Sequence, residues 1–100
     1  HAVYCMATPA LNSMTNSLSL ELAPRVRVNG ISPGAILWPT EIEEEVHDKG
    51  QQKKNAILDS IPLKRLGDPQ DISNLAYFFA EEGDYITGQV VKVDGGRSLV

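Results

Sequence analysis

Tyr4 carries a phenol, a group that can give or take a proton. A phenol has an ordinary pKa of about 10, so near neutrality it gives or takes a proton efficiently only with a neighbouring group to help it. Four residues on stands Thr8, whose hydroxyl can hydrogen-bond a partner but carries no charge. A cation at that spacing would typically move a nearby pKa by about one to three pH units; a hydroxyl cannot supply that field. The plainer alternative for Tyr4 is a half-buried packing residue. Cys5 has no basic neighbour in sequence and reads as a small apolar side chain rather than a nucleophile. His1 and His47 have no partners at ligand spacing, and the acids from Glu41 to Glu45 read as a solvated helix face, so no metal site is assigned.

The elements that would position these residues can be read from periodicity. Val3, Ala7, Ala10/Leu11, Met14, Leu18 and Leu22 recur at spacings of three and four, which predicts a helix over 3–22 closed by Ala23-Pro24. Within it, Thr8-Pro9 alone has the form of a helix start, with Thr8 as N-cap and Pro9 in the first turn, which would leave Tyr4 in a loop. A proline in a helix interior costs roughly 3 kcal/mol, so the two readings compete. Arg25 to Ser32 alternates and predicts a strand that ends at Ser32-Pro33-Gly34.

Farther on, Thr40 and Glu43 form a capping-box pattern for a helix that Gly50 is expected to break, before a polar stretch leads to Ile57-Leu58. Asp68-Pro69 is a second helix start, with Ile72, Leu75, Ala76 and Phe79 as its stripe and Gly83 as its stop. Gln89 to Val93 predicts a short buried strand, followed by Asp94-Gly95-Gly96. Strands alternating with helices imply parallel crossovers and an α/β sheet. Two strands cannot by themselves make a stable sheet covered on both faces, so further strands are expected upstream or in another chain, if they exist at all.

Composition narrows the partners. With 9 Lys+Arg against 13 Asp+Glu, the net charge of -4 and the absence of a basic cluster argue against nucleic acid or an anionic membrane. A hydrophobic content of 42% in 100 residues suits one small globular unit rather than a disordered chain. No apolar run approaches the roughly 20 residues that span a bilayer. A single cysteine excludes an intrachain disulfide and fits a reducing compartment. The start at His1, without an initiator Met or a signal-peptide pattern, leads us to expect that the chain begins within a longer protein.

Six motifs follow one another in order: Tyr4-Cys5-Met6-Ala7, Leu20-Glu21-Leu22-Ala23-Pro24, Arg27-Val28-Asn29-Gly30-Ile31-Ser32-Pro33-Gly34, Arg65-Leu66-Gly67-Asp68-Pro69, Tyr85-Ile86-Thr87-Gly88 and Val93-Asp94-Gly95-Gly96. Together they resemble the second half of a short-chain dehydrogenase/reductase. The Tyr-Cys-Met-Ala start, Ala35-Ile36-Leu37-Trp38-Pro39 and Asp94-Gly95-Gly96-Arg97-Ser98-Leu99 are similar to bacterial pteridine reductases. The resemblance implies a Rossmann-like, doubly wound parallel sheet with helices on both faces, of which residues 1–100 would be the C-terminal half. The Gly-rich cofactor turn and the active-site serine of the family would lie in the other half.

The resemblance also implies roles. Tyr4 is expected to be the proton donor and to touch the cofactor, NADPH, in the reduction of a pterin or carbonyl substrate. The family's partner lysine would fall at Thr8. The backbone of Pro33, Gly34, Ala35 and Ile36 is expected to hold the nicotinamide carboxamide; read without the family, Pro33-Gly34 is an ordinary strand-end turn. Trp38 falls in the substrate lid, where it could stack on a flat ring or simply pack. A cytoplasmic homo-oligomer, dimer or tetramer, is implied. The competing reading is a non-catalytic assembly module, because the charge partner of Tyr4 is absent.

Overall fold

The computed structural model describes the backbone of residues 2–36 and 48–100, and the side chains of 10–36, 52 and 55–100. In chain order it contains helix α1 (Ala2–Leu22), strand β1 (Gly30–Pro33), helix α2 (Asp48–Ser60), helix α3 (Pro69–Glu81), strand β2 (Val90–Val93) and a closing 3₁₀ turn (Arg97–Leu99). The strands pair in a two-stranded sheet. The N–H groups of Gly30 and Gly34 donate to the carbonyls of Gln89 and Val93, at 2.8 and 2.9 Å. Both donors and acceptors advance by four residues in the same direction, so the strands are parallel. The expected α/β class is observed.

The chain divides into two compact units. One comprises 1–32 and 74–92, the other 33–73 and 93–100.

In the first unit, α1 runs unbroken through Pro9, so the helix does not start at Thr8 and Tyr4 lies on the helix. The ladder simply lacks the one N–H that proline cannot give. The stripe is only partly the buried face: of its described positions Leu11 and Leu22 are half-buried, whereas Met14 is 55% and Leu18 37% exposed, and the most buried residues are Thr15 and Ser19, at 3% and 5%. The reason is close approach. A Cβ on Gly30 would lie 3.2 Å from the Thr15 hydroxyl oxygen, and one on Gly88 would lie 2.9 Å from that of Ser19. Larger side chains at 15 and 19 would push the helix off these glycines. Ser19 satisfies its buried hydroxyl by donating to the Asn16 carbonyl at 2.8 Å.

Strand β1 is shorter than the alternation over 25–32 suggests. The N–H groups of Arg25 and Val26 both return to the Leu22 carbonyl at 3.0 Å and finish the helix end. Arg27 then sends its guanidinium to the end of α3. Nη1 donates to the carbonyls of Phe79 and Gly83, each at 2.7 Å, and Nη2 donates to Ala80 at 3.2 Å. A helix leaves its last carbonyls without intrahelical partners, and a cation there is favoured by the helix dipole. Asn29 donates to the Ile86 carbonyl at 3.0 Å and accepts from the Gln89 N–H at 3.1 Å. Strand β2 is half-exposed rather than buried, since Val91 and Lys92 face solvent. The expected stop of α3 holds: the Gly83 N–H donates to the Phe78 carbonyl at 2.8 Å.

In the second unit, Gly50 lies inside α2 and does not break it. A glycine costs a helix only about 1 kcal/mol relative to alanine, which the rest of the helix outweighs. The polar stretch Gln51 to Asn55 is helical too. The apolar centre of the unit is Ile61 and Ile36, 2% and 8% exposed. Gly95, at φ 63, brings backbone onto Ile61, where a Cβ would meet Cγ2 at 2.8 Å.

Helix α3 opens as expected on Asp68. Its Oδ1 accepts the Gln70 N–H at 2.8 Å, while Asp71 reaches back so that Oδ2 accepts the Asp68 N–H, also at 2.8 Å. This is a reciprocal cap with aspartate in the place usually taken by glutamate.

Candidate active site

Helix α1 places positions 4 and 8 one turn apart on the same helix. The geometric relation expected between a proton donor and its partner position therefore exists, with Tyr4 at one end and Thr8 at the other. The side chains of Tyr4, Cys5 and Thr8 lie outside those described, as do Trp38, the proposed cap Thr40, the acids 41–45 and both histidines.

Tyr4 belongs to the first unit and Gly34, Ala35 and Ile36 to the second, together with Pro33, where β1 ends. The segment 33–36 is held on both edges. On one edge Gly34 donates to Val93, and it fits there only because it has no side chain: a Cβ would stand 2.6 Å from Asp94 Cβ and 2.8 Å from Asp94 Cα. On the other edge the Gly67 N–H donates to the Ala35 carbonyl at 2.8 Å, within a parallel bridge between Ile36 and Gly67. The turn before Gly67 is tied in as well, since the Leu63 N–H donates to the Gly95 carbonyl at 3.1 Å.

The chemical consequence is a pair of backbone donors. Among the described residues, neither the Ala35 nor the Ile36 N–H has a hydrogen-bond acceptor. Ala35 is half-buried and Ile36 buried. Unpaired N–H groups at the C-terminal end of a parallel strand suit a ligand carbonyl or carboxamide oxygen.

Three residues that frame this segment were given no site role from sequence. Asp94 turns the chain after β2: its carboxylate accepts the Gly96 N–H at 3.0 Å and the Ser98 N–H at 3.2 Å. Gly67 is the edge partner of Ala35 and Ile36. Asp71 fixes the turn that carries Gly67, through Asp68 and through a 2.9 Å ion pair with Arg65. The Arg65 hydrogen bond, followed by the Asp68 N–H, holds the Asp71 carboxyl below its usual pKa, and Asp71 in turn raises that of Arg65. Asp71 standing three residues after an N-cap aspartate was the available signal.

Among the described residues there is no group of three or more His, Cys, Asp or Glu that could hold a metal, and no helix long and apolar enough to cross a membrane.

Residues 1–98 match the family model described as enoyl-(acyl carrier protein) reductase. The chain is similar to the 3-oxoacyl-(acyl-carrier-protein) reductase FabG of Rickettsia felis, with 38% identity over 99% of this chain and 40% of the relative. Among solved structures it is similar to a short-chain dehydrogenase/reductase from Brucella melitensis described as a glucose/ribitol dehydrogenase. That match has a TM-score of 0.70 and 35% identity, and covers 92% of this chain and 34% of the other. It is also similar to YwfH, an NADPH-dependent reductase involved in bacilysin biosynthesis, with a TM-score of 0.77 and 38% identity over 92% of this chain and 38% of the other. The chain thus spans well under half the length of the relatives it matches. On the family match across nearly its whole length, the ordered motifs and the shared α/β fold, the chain belongs to the short-chain dehydrogenase/reductase family.

Proposed function

We propose that residues 1–100 are the C-terminal half of an NADPH-dependent oxidoreductase domain that reduces a pterin-type or related carbonyl substrate, with Tyr4 as proton donor. The observation that carries this reading is that, among the described residues, the N–H groups of Ala35 and Ile36 have no acceptor, at a strand end held by neighbours on both edges. That donor pair fits the carboxamide of a nicotinamide ring, which bears a strong acceptor oxygen. When bound, the cofactor supplies a hydride.

The chain's own contribution is twofold. Pro33, Gly34, Ala35 and Ile36 orient the ring, and the Tyr4 hydroxyl gives its proton to the substrate atom that gains electron density. Thr8 offers a hydroxyl where a cation would ease that transfer. The substrate class is supported by the pteridine-reductase-like runs around Ala35 and Asp94, and by Trp38, an aromatic able to lie against a flat ring. The cofactor is supported by the NADPH dependence of YwfH.

The test is a binding and turnover assay on the intact protein. Saturable NADPH binding and NADPH oxidation with a dihydropteridine are expected. Tyr4→Phe should remove turnover and leave binding within about twofold, as for a lost proton donor. Thr8→Lys combined with Pro9→Ala should raise turnover by about tenfold or more, by restoring a cation one turn from the phenol. Failure to bind any nicotinamide dinucleotide sinks the reading.

One feature favours a second reading, a non-catalytic assembly module in a homo-oligomer. The charge partner of Tyr4 is missing, while α1 and α3 expose apolar side chains, with Leu20 81% and Tyr77 63% exposed. Light scattering after size exclusion separates the readings: a well-folded monomer that oxidises NADPH contradicts the module.

A further inference from the structure

The Ala35 carbonyl and the Ile36 N–H belong to one peptide plane. In a trans peptide they point in opposite directions. The Gly67 N–H holds that carbonyl at 2.8 Å, so the Ile36 N–H is aimed away from Gly67. Accepting a hydrogen bond at the carbonyl also polarises the same peptide's N–H and makes it a better donor. Gly67 does more than supply one bond. A Cβ built on it would come within 2.5 Å of Ile36 Cδ1 and 3.4 Å of the Ala35 oxygen. The buried Ile36 side chain therefore fills the space that any side chain at 67 would need.

The turn that presents Gly67 is itself fixed from α3. Asp71 accepts the Asp68 N–H on one side of Gly67, and it pairs with Arg65 on the other. Arg65 also donates to the Leu66 carbonyl at 3.1 Å.

We propose that Gly67 is a positioning residue: by holding the Ala35 carbonyl and yielding its side-chain space to Ile36, it sets the direction in which the Ile36 N–H donor meets a nicotinamide carboxamide. The inference rests on the reading of 33–36 as the nicotinamide segment. It adds that the geometry of that segment is set from the turn before α3.

The test is a double-mutant cycle read by amide NMR. The probe is reduced nicotinamide mononucleotide, which carries the carboxamide but no adenosine half. Titrated into the intact protein, it should shift the amide signals of positions 35 and 36. Gly67→Ala should weaken the affinity read at those signals by about fivefold or more. Ile36→Val removes Cδ1, the atom a Cβ at 67 would strike. In that background Gly67→Ala should cost less than about twofold relative to Ile36→Val alone. A role confined to general stability would lower the urea midpoint of Gly67→Ala but leave the affinity of the folded protein unchanged in both backgrounds.

Unchanged affinity, or equal losses in the two backgrounds, overturns the positioning role while leaving the nicotinamide reading in place. No shift at 35 and 36 in the unmutated protein overturns both. Should Gly67→Ala not fold, Asp71→Asn takes its place. It loosens the turn without adding volume, and it should weaken binding by about twofold and move the free-state amide signals of 35 and 36. Unchanged signals and affinity in that variant overturn the inference.

Discussion

The two units of this chain both use glycine close approaches and polar caps, but they differ in which of these joins segments distant in sequence. In the first, polar side chains reach across to main chain. Arg27 gathers the carbonyls of Phe79, Ala80 and Gly83, and Asn29 bridges Ile86 and Gln89. In the second, main-chain bonds join 33–36 to Gly67 and Val93, and glycines make room for the approach. Gly34 lies against Asp94 and Gly67 against Ile36. Side-chain clamps can be long and adjustable, and their loss leaves unpaired carbonyls. Glycine contacts leave nothing unpaired when they fail; they fail by collision. The proposed ligand donors sit in the unit built by glycine contacts, where small displacements are excluded by hard packing.

This contrast is broken most directly at Arg27. Arg27→Ala leaves several half-buried carbonyls at the end of α3 without a donor and should destabilise the fold by about 3 kcal/mol. Arg27→Lys keeps the charge but not the planar fork, and should lose roughly half as much. Urea midpoints at constant m-value measure both. Hydrogen exchange should quicken most at amides of 79–86; uniform acceleration over 33–67 as well would abolish the distinction between the units. Next in size is Gly34→Ala. Its Cβ meets backbone, not a flexible side-chain tip, and the expected loss is about 2 kcal/mol. Asp68→Ala removes only the N-cap of α3 and should cost about 1 kcal/mol, seen as a small shift of the same midpoint.

The contrast also explains what could be read in the sequence. Helix α1, the start of α3 at Asp68-Pro69 and the turn at Gly83 were legible, because caps, breakers and periodicity are local. The family assignment was legible from six ordered motifs, and the comparisons bear it out. The most buried positions of α1 were not. Periodicity counts hydrophobicity, whereas Thr15 and Ser19 are buried for being small, opposite glycines far along the chain. Arg27 looked like one polar tooth of an alternating strand, since its partners lie more than 50 residues away. For the candidate site, Pro33 to Ile36 were found through the resemblance. Gly67 and Asp94 were not, because a close approach between distant segments leaves no local signature beyond the glycine itself.

The smallest expected effect concerns Asp71, an ionised side chain that fixes the turn carrying Gly67 beside the glycine-built segment. Its hydrogen bonds from Arg65 and from the Asp68 N–H hold its folded-state pKa below the ordinary carboxylate value. A depressed pKa means that the folded state prefers the ionised form more than the unfolded state does. The stabilisation is thus fully present above the unfolded pKa of about 4, and it is lost as pH falls through the folded value. Asp71→Asn should lower stability slightly at neutrality and converge with the unmutated protein as pH falls below about 4, the difference staying small because the ion pair is largely exposed and screened by salt. The measurement is a urea midpoint series from neutral to acidic pH for both proteins. If the unmutated protein shows no steeper acid loss than Asp71→Asn, the carboxylate is not what fixes the turn. The hold on Gly67 would then come from main-chain bonds alone, and the second unit would be built by backbone contacts to an even greater degree than the structure indicates.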